Sequence, residues 1–183
     1  QLPPGFLADA QNCFIRTQEI VKRSGYSLLG ADLGLNAACQ GMKGIRFVNG
    51  TKELIAVFNG SIYKNTGSGN WTLITSGSGV LSITAQVSIV AANNNLYFFD
   101  GTSTVQKYNG SAISGVSAIP KGTGGYWFHN ILVVWGMSGT PNNVQLSDLG
   151  DPENFSTGIS TTIGISPNDG DYIVTAHEFA DIL

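Results

Sequence analysis

The chain has 183 residues, 42% hydrophobic and only 11% charged, with a formal net charge of −3. That length suits one domain with a true core or a row of small repeats, and the charged share is well under half the usual level of about 25%. No basic block marks a nucleic-acid binder, the 10% aromatic content argues against disorder, and no apolar run approaches the ~18 residues of a membrane span.

The 24 glycines, set among Asn, Ser and Thr, favour short strands joined by tight turns over helices. Residues 1–10 carry Pro3, Pro4 and Gly5 and read as an extended arm. Two β-prone runs, 11–16 and 19–23, flank the polar link Thr17-Gln18 and predict a hairpin, with Lys22-Arg23 as a solvated strand end. Leu28, Leu29, Leu33 and Leu35 fit a helical turn or a packed loop, while Gly30, Gly34 and Gly41 argue against a long helix. Cys13 and Cys39 are expected as buried free thiols; a disulfide has no support in a chain this apolar.

From Gly44 the pattern becomes a meander. Three apolar or aromatic runs, Ser61–Asn65, Leu96–Phe99 and Ile131–Trp135, recur at roughly 34–36 residues, within the period of about 20–50 that marks repeat architectures. The first unit is read as strands 44–48, 53–58, 62–65 and 71–74, with Asn49-Gly50 and Asn59-Gly60 as hairpin turns. Leu54, Ala56 and Phe58 alternate with Ile55 and Val57, the mark of a strand covered on both faces. The second unit is read as 86–92, 96–99, 104–108 and 112–116, turning at Asn93–Asn95, Asp100-Gly101 and Asn109-Gly110. The third runs through 125–128, 131–135 and 143–147 and ends in the turn 148–155. A fourth begins with an inner strand at Tyr172–Ala176. The predicted fold is all-β: residues 1–43 form an arm, hairpin and connector, and 44–183 form β-propeller-like four-stranded antiparallel blades. About three and a half blades do not close a ring of about four to eight: the sheets stack openly, assemble with other chains or belong to a longer chain, and the last is the expectation.

The motif order resembles bacteriophage tail proteins built on β-propellers, the group of tail nozzles (tail tubular protein B) and packaged-DNA stabilisation or tail-hub proteins. The resemblance rests on Leu2-Pro3-Pro4-Gly5, Asp9-Ala10-Gln11-Asn12, Ile15-Arg16 and Lys22-Arg23-Ser24-Gly25-Tyr26. It rests also on the repeated Leu/Ile-Tyr and Asp/Asn-Gly pattern, and on Ser147-Asp148-Leu149-Gly150-Asp151-Pro152-Glu153-Asn154-Phe155, which is similar to the Ser-x-x-Gly-Asp-Pro-x-x-Phe segment ending a blade. It implies a virion tail protein made in the host cytoplasm and assembled as a homo-oligomeric ring with other tail or portal-vertex proteins. DNA would pass through it without specific binding.

Chemistry-bearing residues are sparse. His129 and His177 stand outside any zinc spacing and are expected at turns or edges. No Gly-x-Ser-x-Gly elbow is present. Asp148, Asp151 and Glu153 sit within one turn, where acidic side chains bond the local backbone, and Asn168-Asp169-Gly170-Asp171 lacks EF-hand spacing. No catalytic residue, cofactor or metal ligand is therefore assigned. Trp71, Trp127 and Trp135, with Tyr63, Tyr97 and Tyr126, are the candidates for sugar or partner contact in a lectin-like alternative; core packing is the plainer role for them.

Overall fold

The computed structural model describes residues 13–16, 19–22, 33–67, 69–74, 81–165 and 170–177. Among them there is no helix. Strands β1 (Cys13–Arg16) and β2 (Glu19–Lys22) form the expected antiparallel hairpin, with Phe14 opposite Val21 and Ile15 opposite Ile20.

Three four-stranded antiparallel meanders follow, each in sequential strand order. The first sheet is β3 (Cys39–Arg46), β4 (Lys52–Phe58), β5 (Ser61–Asn65) and β6 (Thr72–Leu73). The second is β7 (Ser88–Ala92), β8 (Asn95–Phe99), β9 (Val105–Tyr108) and β10 (Ile113–Val116). The third is β11 (Gly124–Phe128), β12 (Ile131–Met137), β13 (Thr140–Leu146) and β14 (Thr161–Gly164). Left-handed pairs set the tight hairpins: Asn59 and Gly60 (φ 48° and 71°), Asn93 and Asn94 (44° and 62°), and His129 and Asn130 (46° and 64°). Positive φ at both central residues gives a two-residue loop whose twist matches its strands.

The second sheet is the middle layer. On β8, Leu96 and Phe98 point into a core shared with Ile55, Val57 and Ile62 of the first sheet. Tyr97 and Phe99 point the other way, into a core shared with Leu132 and Val134 of the third. The period-2 alternation of a strand thus builds two cores from four consecutive residues. Each such side chain contributes about 1.5–3 kcal/mol of burial. The sheets come closest at their first strands, β3 to β7 and β7 to β11. There Val87 N donates to Gln40 O at 2.8 Å. Gly41 has no side chain because a Cβ would collide with the Val87 carbonyl oxygen.

The structure departs from the sequence expectations at several elements. The first sheet starts at Cys39, upstream of Gly44. Cys39 is exposed; it is the first residue of β3, set off from the rest of the strand by the register shift between Cys39 and Gly41, whereas Cys13's side chain lies outside the described residues. The regular spacing compared unlike strands: Ser61–Asn65 is a third strand, Leu96–Phe99 and Ile131–Trp135 lie in second strands. Leu54, Ala56 and Phe58 face away from the second sheet, so β4 is covered on one face by another sheet and not on the other among the described residues. The third unit does not end at 148–155; β14 pairs with β13 beyond that turn, Leu146 opposite Thr161. Residues 171–177 form no strand. They lie on the third sheet's outer face, where Ile173 N donates to Pro141 O at 3.0 Å and Ile173 and Ala176 pack on the cluster of Val133, Trp135 and Val144. Residues 33–38 are irregular, while Leu28, Leu29, Arg23 and Asn168-Asp169 lie outside the described residues.

Candidate functional site

The three tryptophans do not converge. Trp71 is half-buried on the outer face of the first sheet, its ring edge-to-face with Phe58 at 6.1 Å, and Phe58 makes a similar contact with Tyr63 at 6.0 Å. Trp127 packs at the core between the second and third sheets. Trp135 is buried on the opposite face of the third sheet, and its Nε1 donates to Val174 O at 3.0 Å. Tyr97 is fully buried, and Tyr126 packs beside His177 with ring centroids 5.1 Å apart. His129 occupies its predicted turn and stacks on Phe128.

The polar side chains that do converge lie between sheets. Glu53, at the start of β4, is 6% exposed. Its Oε2 accepts from Tyr108 Oη of β9 at 2.8 Å, and its Oε1 lies 3.4 Å from Lys64 Nζ of β5. Lys64 also reaches Tyr108 Oη at 3.3 Å. A second set of the same residue types joins the next pair of sheets. Glu153 Oε1 accepts from Tyr97 Oη at 2.9 Å and from Lys107 Nζ at 2.8 Å. Burial, then the bonded and charged glutamate beside it, raises both phenols well above their ordinary value. Each tyrosine is thereby held as a neutral donor.

Glu153 reaches the second sheet because the turn 147–155 is tied at each step. Ser147 is fully buried; its Oγ accepts from Leu132 N at 2.8 Å and donates to Asp148 O. Asp148 Oδ1 accepts from the amides of Leu149 and Ile159, and Asp151 Oδ1 from that of Glu153. This is the local backbone bonding expected of acidic turn residues. Gly150 O accepts from Asn93 Nδ2 at 2.6 Å, and Phe155 packs against the core between the second and third sheets.

Two further braces sit near the first strands. Gln40 Nε2 donates to Ser82 O and Ala85 O at 2.6 and 2.7 Å, while its Oε1 accepts from Gly60 N at 2.7 Å. Asp100 accepts from the amides of Ser82, Thr102 and Ser103. Burial alone would raise its carboxyl, but bonds from Ser103, Ser82 and Thr102 outweigh it and hold the group below the usual carboxylate range. Asp100 borders a cleft of about 570 Å³ that is also lined by Thr123, Met137, Tyr172, Ile173 and Val174. Its walls are mainly apolar and hydroxyl, without a paired acid and base.

Sequence reasoning missed Glu53, Gln40, Asp100 and the inter-sheet role of Glu153. One signal was available. Tyr63-Lys64 and Lys107-Tyr108 are adjacent Tyr/Lys pairs at the ends of third strands, each followed by a turn-forming Asn.

Among the described residues no group of three or more His, Cys, Asp or Glu is placed to hold a metal ion, and no helix is long and apolar enough to cross a membrane. No family model, curated protein or solved structure matches this chain.

Proposed function

We propose that the chain contributes blades to a β-propeller that serves as a structural subunit of a bacteriophage tail, as a nozzle, hub or adaptor at the portal vertex. The observation that carries the reading is the way the sheets stack. Three four-stranded meanders pack face to face with their first strands closest together, an arrangement suited to blades fanning about an axis. The resemblance of the segment Ser147–Phe155 to a tail-protein blade end supports the assignment, as do the contacts of Glu153 and Phe155 in that segment with the second sheet and its core. Glu53 and Glu153 are both engaged in holding sheet to sheet, which suits a rigid scaffold.

The end sheets supply the assembly surfaces. The first sheet's outer face presents Phe58, Tyr63 and Trp71 beside the exposed Met42, and the segment over the third sheet leaves Tyr172 and Val174 exposed. Further blades or neighbouring subunits would cover both. An antibody raised to this chain tests the proposal by immunogold electron microscopy on phage particles from the source culture. Gold at the tail vertex is the expected result. Unlabelled particles, in a preparation where a known tail protein is labelled, would overturn it and direct attention to glycan binding by the half-buried aromatics Tyr63 and Trp71.

A further inference from the structure

Three Asn-Gly turns in this chain share one local chemistry: Asn49-Gly50-Thr51, Asn59-Gly60-Ser61 and Asn109-Gly110-Ser111. The fold treats them differently. Gly50 N donates to Phe47 O at 2.9 Å. Gly60 is buried, and its N donates to Gln40 Oε1 at 2.7 Å. Gly110 N donates to no group among the described residues. The asparagines differ as well. Asn109 is exposed, and its Oδ1 accepts from both Ser111 N and Ala112 N at 2.9 Å. Asn49 Oδ1 accepts from Thr51 N at 3.0 Å, and no such donor meets Asn59 among the described residues.

We propose that Asn109 is a site of spontaneous covalent modification, deamidation through a succinimide, and that the other two Asn-Gly turns are protected by their hydrogen bonds. The Gly110 amide gives its proton to solvent base and its nitrogen attacks Asn109 Cγ. A new Cγ–N bond forms, the side-chain carbon–nitrogen bond breaks, and that nitrogen takes up a proton and leaves as ammonia. Water then adds to either carbonyl of the ring and opens it to aspartate or isoaspartate, so the only co-reactant is water. Charge develops on Oδ1 as the nitrogen adds. The two amides already pointing at that oxygen stabilise it as donors in an oxyanion hole do. At Gly50 and Gly60 the attacking nitrogen must first give up an acceptor. Either product puts a carboxylate next to Tyr108, and isoaspartate adds a main-chain methylene where Gly110 packs on the Phe47 ring.

The test is incubation of the folded chain at mildly alkaline pH, followed by peptide mass mapping and enzymatic isoaspartate labelling, in parallel with the same chain in urea. Conversion at Asn109 should run on the order of tenfold faster than at Asn49 or Asn59 in the folded protein, less than one oxyanion donor contributes in an enzyme. In urea the three rates should converge. A Gln40→Ala substitution, which frees Gly60 N, should raise the rate at Asn59 and leave Asn109 unchanged. Equal rates at the three sites in the folded chain, or an unreactive Asn109, would overturn the proposal even if the variant does not fold.

Discussion

Tyr108 of the second sheet donates its phenolic hydrogen to Glu53 of the first at 2.8 Å, where the carboxylate is almost fully shielded from water. Replacing Tyr108 with Phe removes the donor and leaves Glu53 with Lys64 at 3.4 Å as its remaining partner among the described residues. A hydrogen bond to a charged group contributes about 1.5–3 kcal/mol. The expected result is a drop of that size in unfolding free energy, read by urea titration. Tyr97→Phe should cost less, because the Glu153 side chain is 32% exposed and water replaces the lost donor.

The same two tyrosines set an alkaline limit. Their folded-state values lie above the unfolded value of about 10. At high pH the native state therefore holds protons that the unfolded state has lost. Their contribution is complete below about pH 10 and is lost as pH rises beyond it. Unfolding followed against pH should show stability falling from about pH 10 upward, and the fall should be shallower in the Tyr97→Phe/Tyr108→Phe double variant. An equal slope in both proteins would contradict the assignment.

Asp100 works in the opposite direction. Its folded value lies below the ordinary carboxylate value, so its contribution is present above about pH 4 and is lost as pH falls through the folded value. Asp100→Ala should reduce stability by about 1–3 kcal/mol at neutral pH, by leaving the amides of Ser82, Thr102 and Ser103 without their acceptor. It should also flatten the acid side of the stability profile. Circular dichroism during urea unfolding at several pH values would measure both effects.

Much of this architecture can be read from the chain, for identifiable reasons. Asn59-Gly60 and His129-Asn130 mark the ends of strands because few residues tolerate positive φ. Leu96-Tyr97-Phe98-Phe99 announces a strand buried on both faces because no polar side chain interrupts it. What stays hidden depends on distance in sequence. Glu53 and Tyr108 are 55 residues apart, and nothing local distinguishes Glu53 from a solvated strand end. β14 is missed because Thr161–Gly164 is exposed throughout and lacks an apolar stripe. Residues 172–176 have strand-like composition, yet their backbone bonds lead to Pro141 and to the Trp135 indole instead of a ladder. The tryptophans look alike as residues; only the sheet faces reveal that Trp127 and Trp135 point apart.

Gly41 and Gly44 give the sharpest test of how closely the first strands approach. Both lie in β3 and neither has positive φ, so intrinsic backbone preference treats them alike. A Cβ at Gly44 would meet nothing within 4 Å, whereas one at Gly41 would strike the Val87 carbonyl, which is backbone and has little room to yield. Gly44→Ala should therefore change stability by less than about 0.5 kcal/mol. Gly41→Ala should cost about 1–3 kcal/mol, the range for forced overpacking. Because the clash falls where Val87 N donates to Gln40 O, hydrogen exchange at Val87 should accelerate in the Gly41 variant and stay unchanged in the Gly44 variant. Equal effects of the two substitutions would mean that β3 and the segment entering β7 are not in contact.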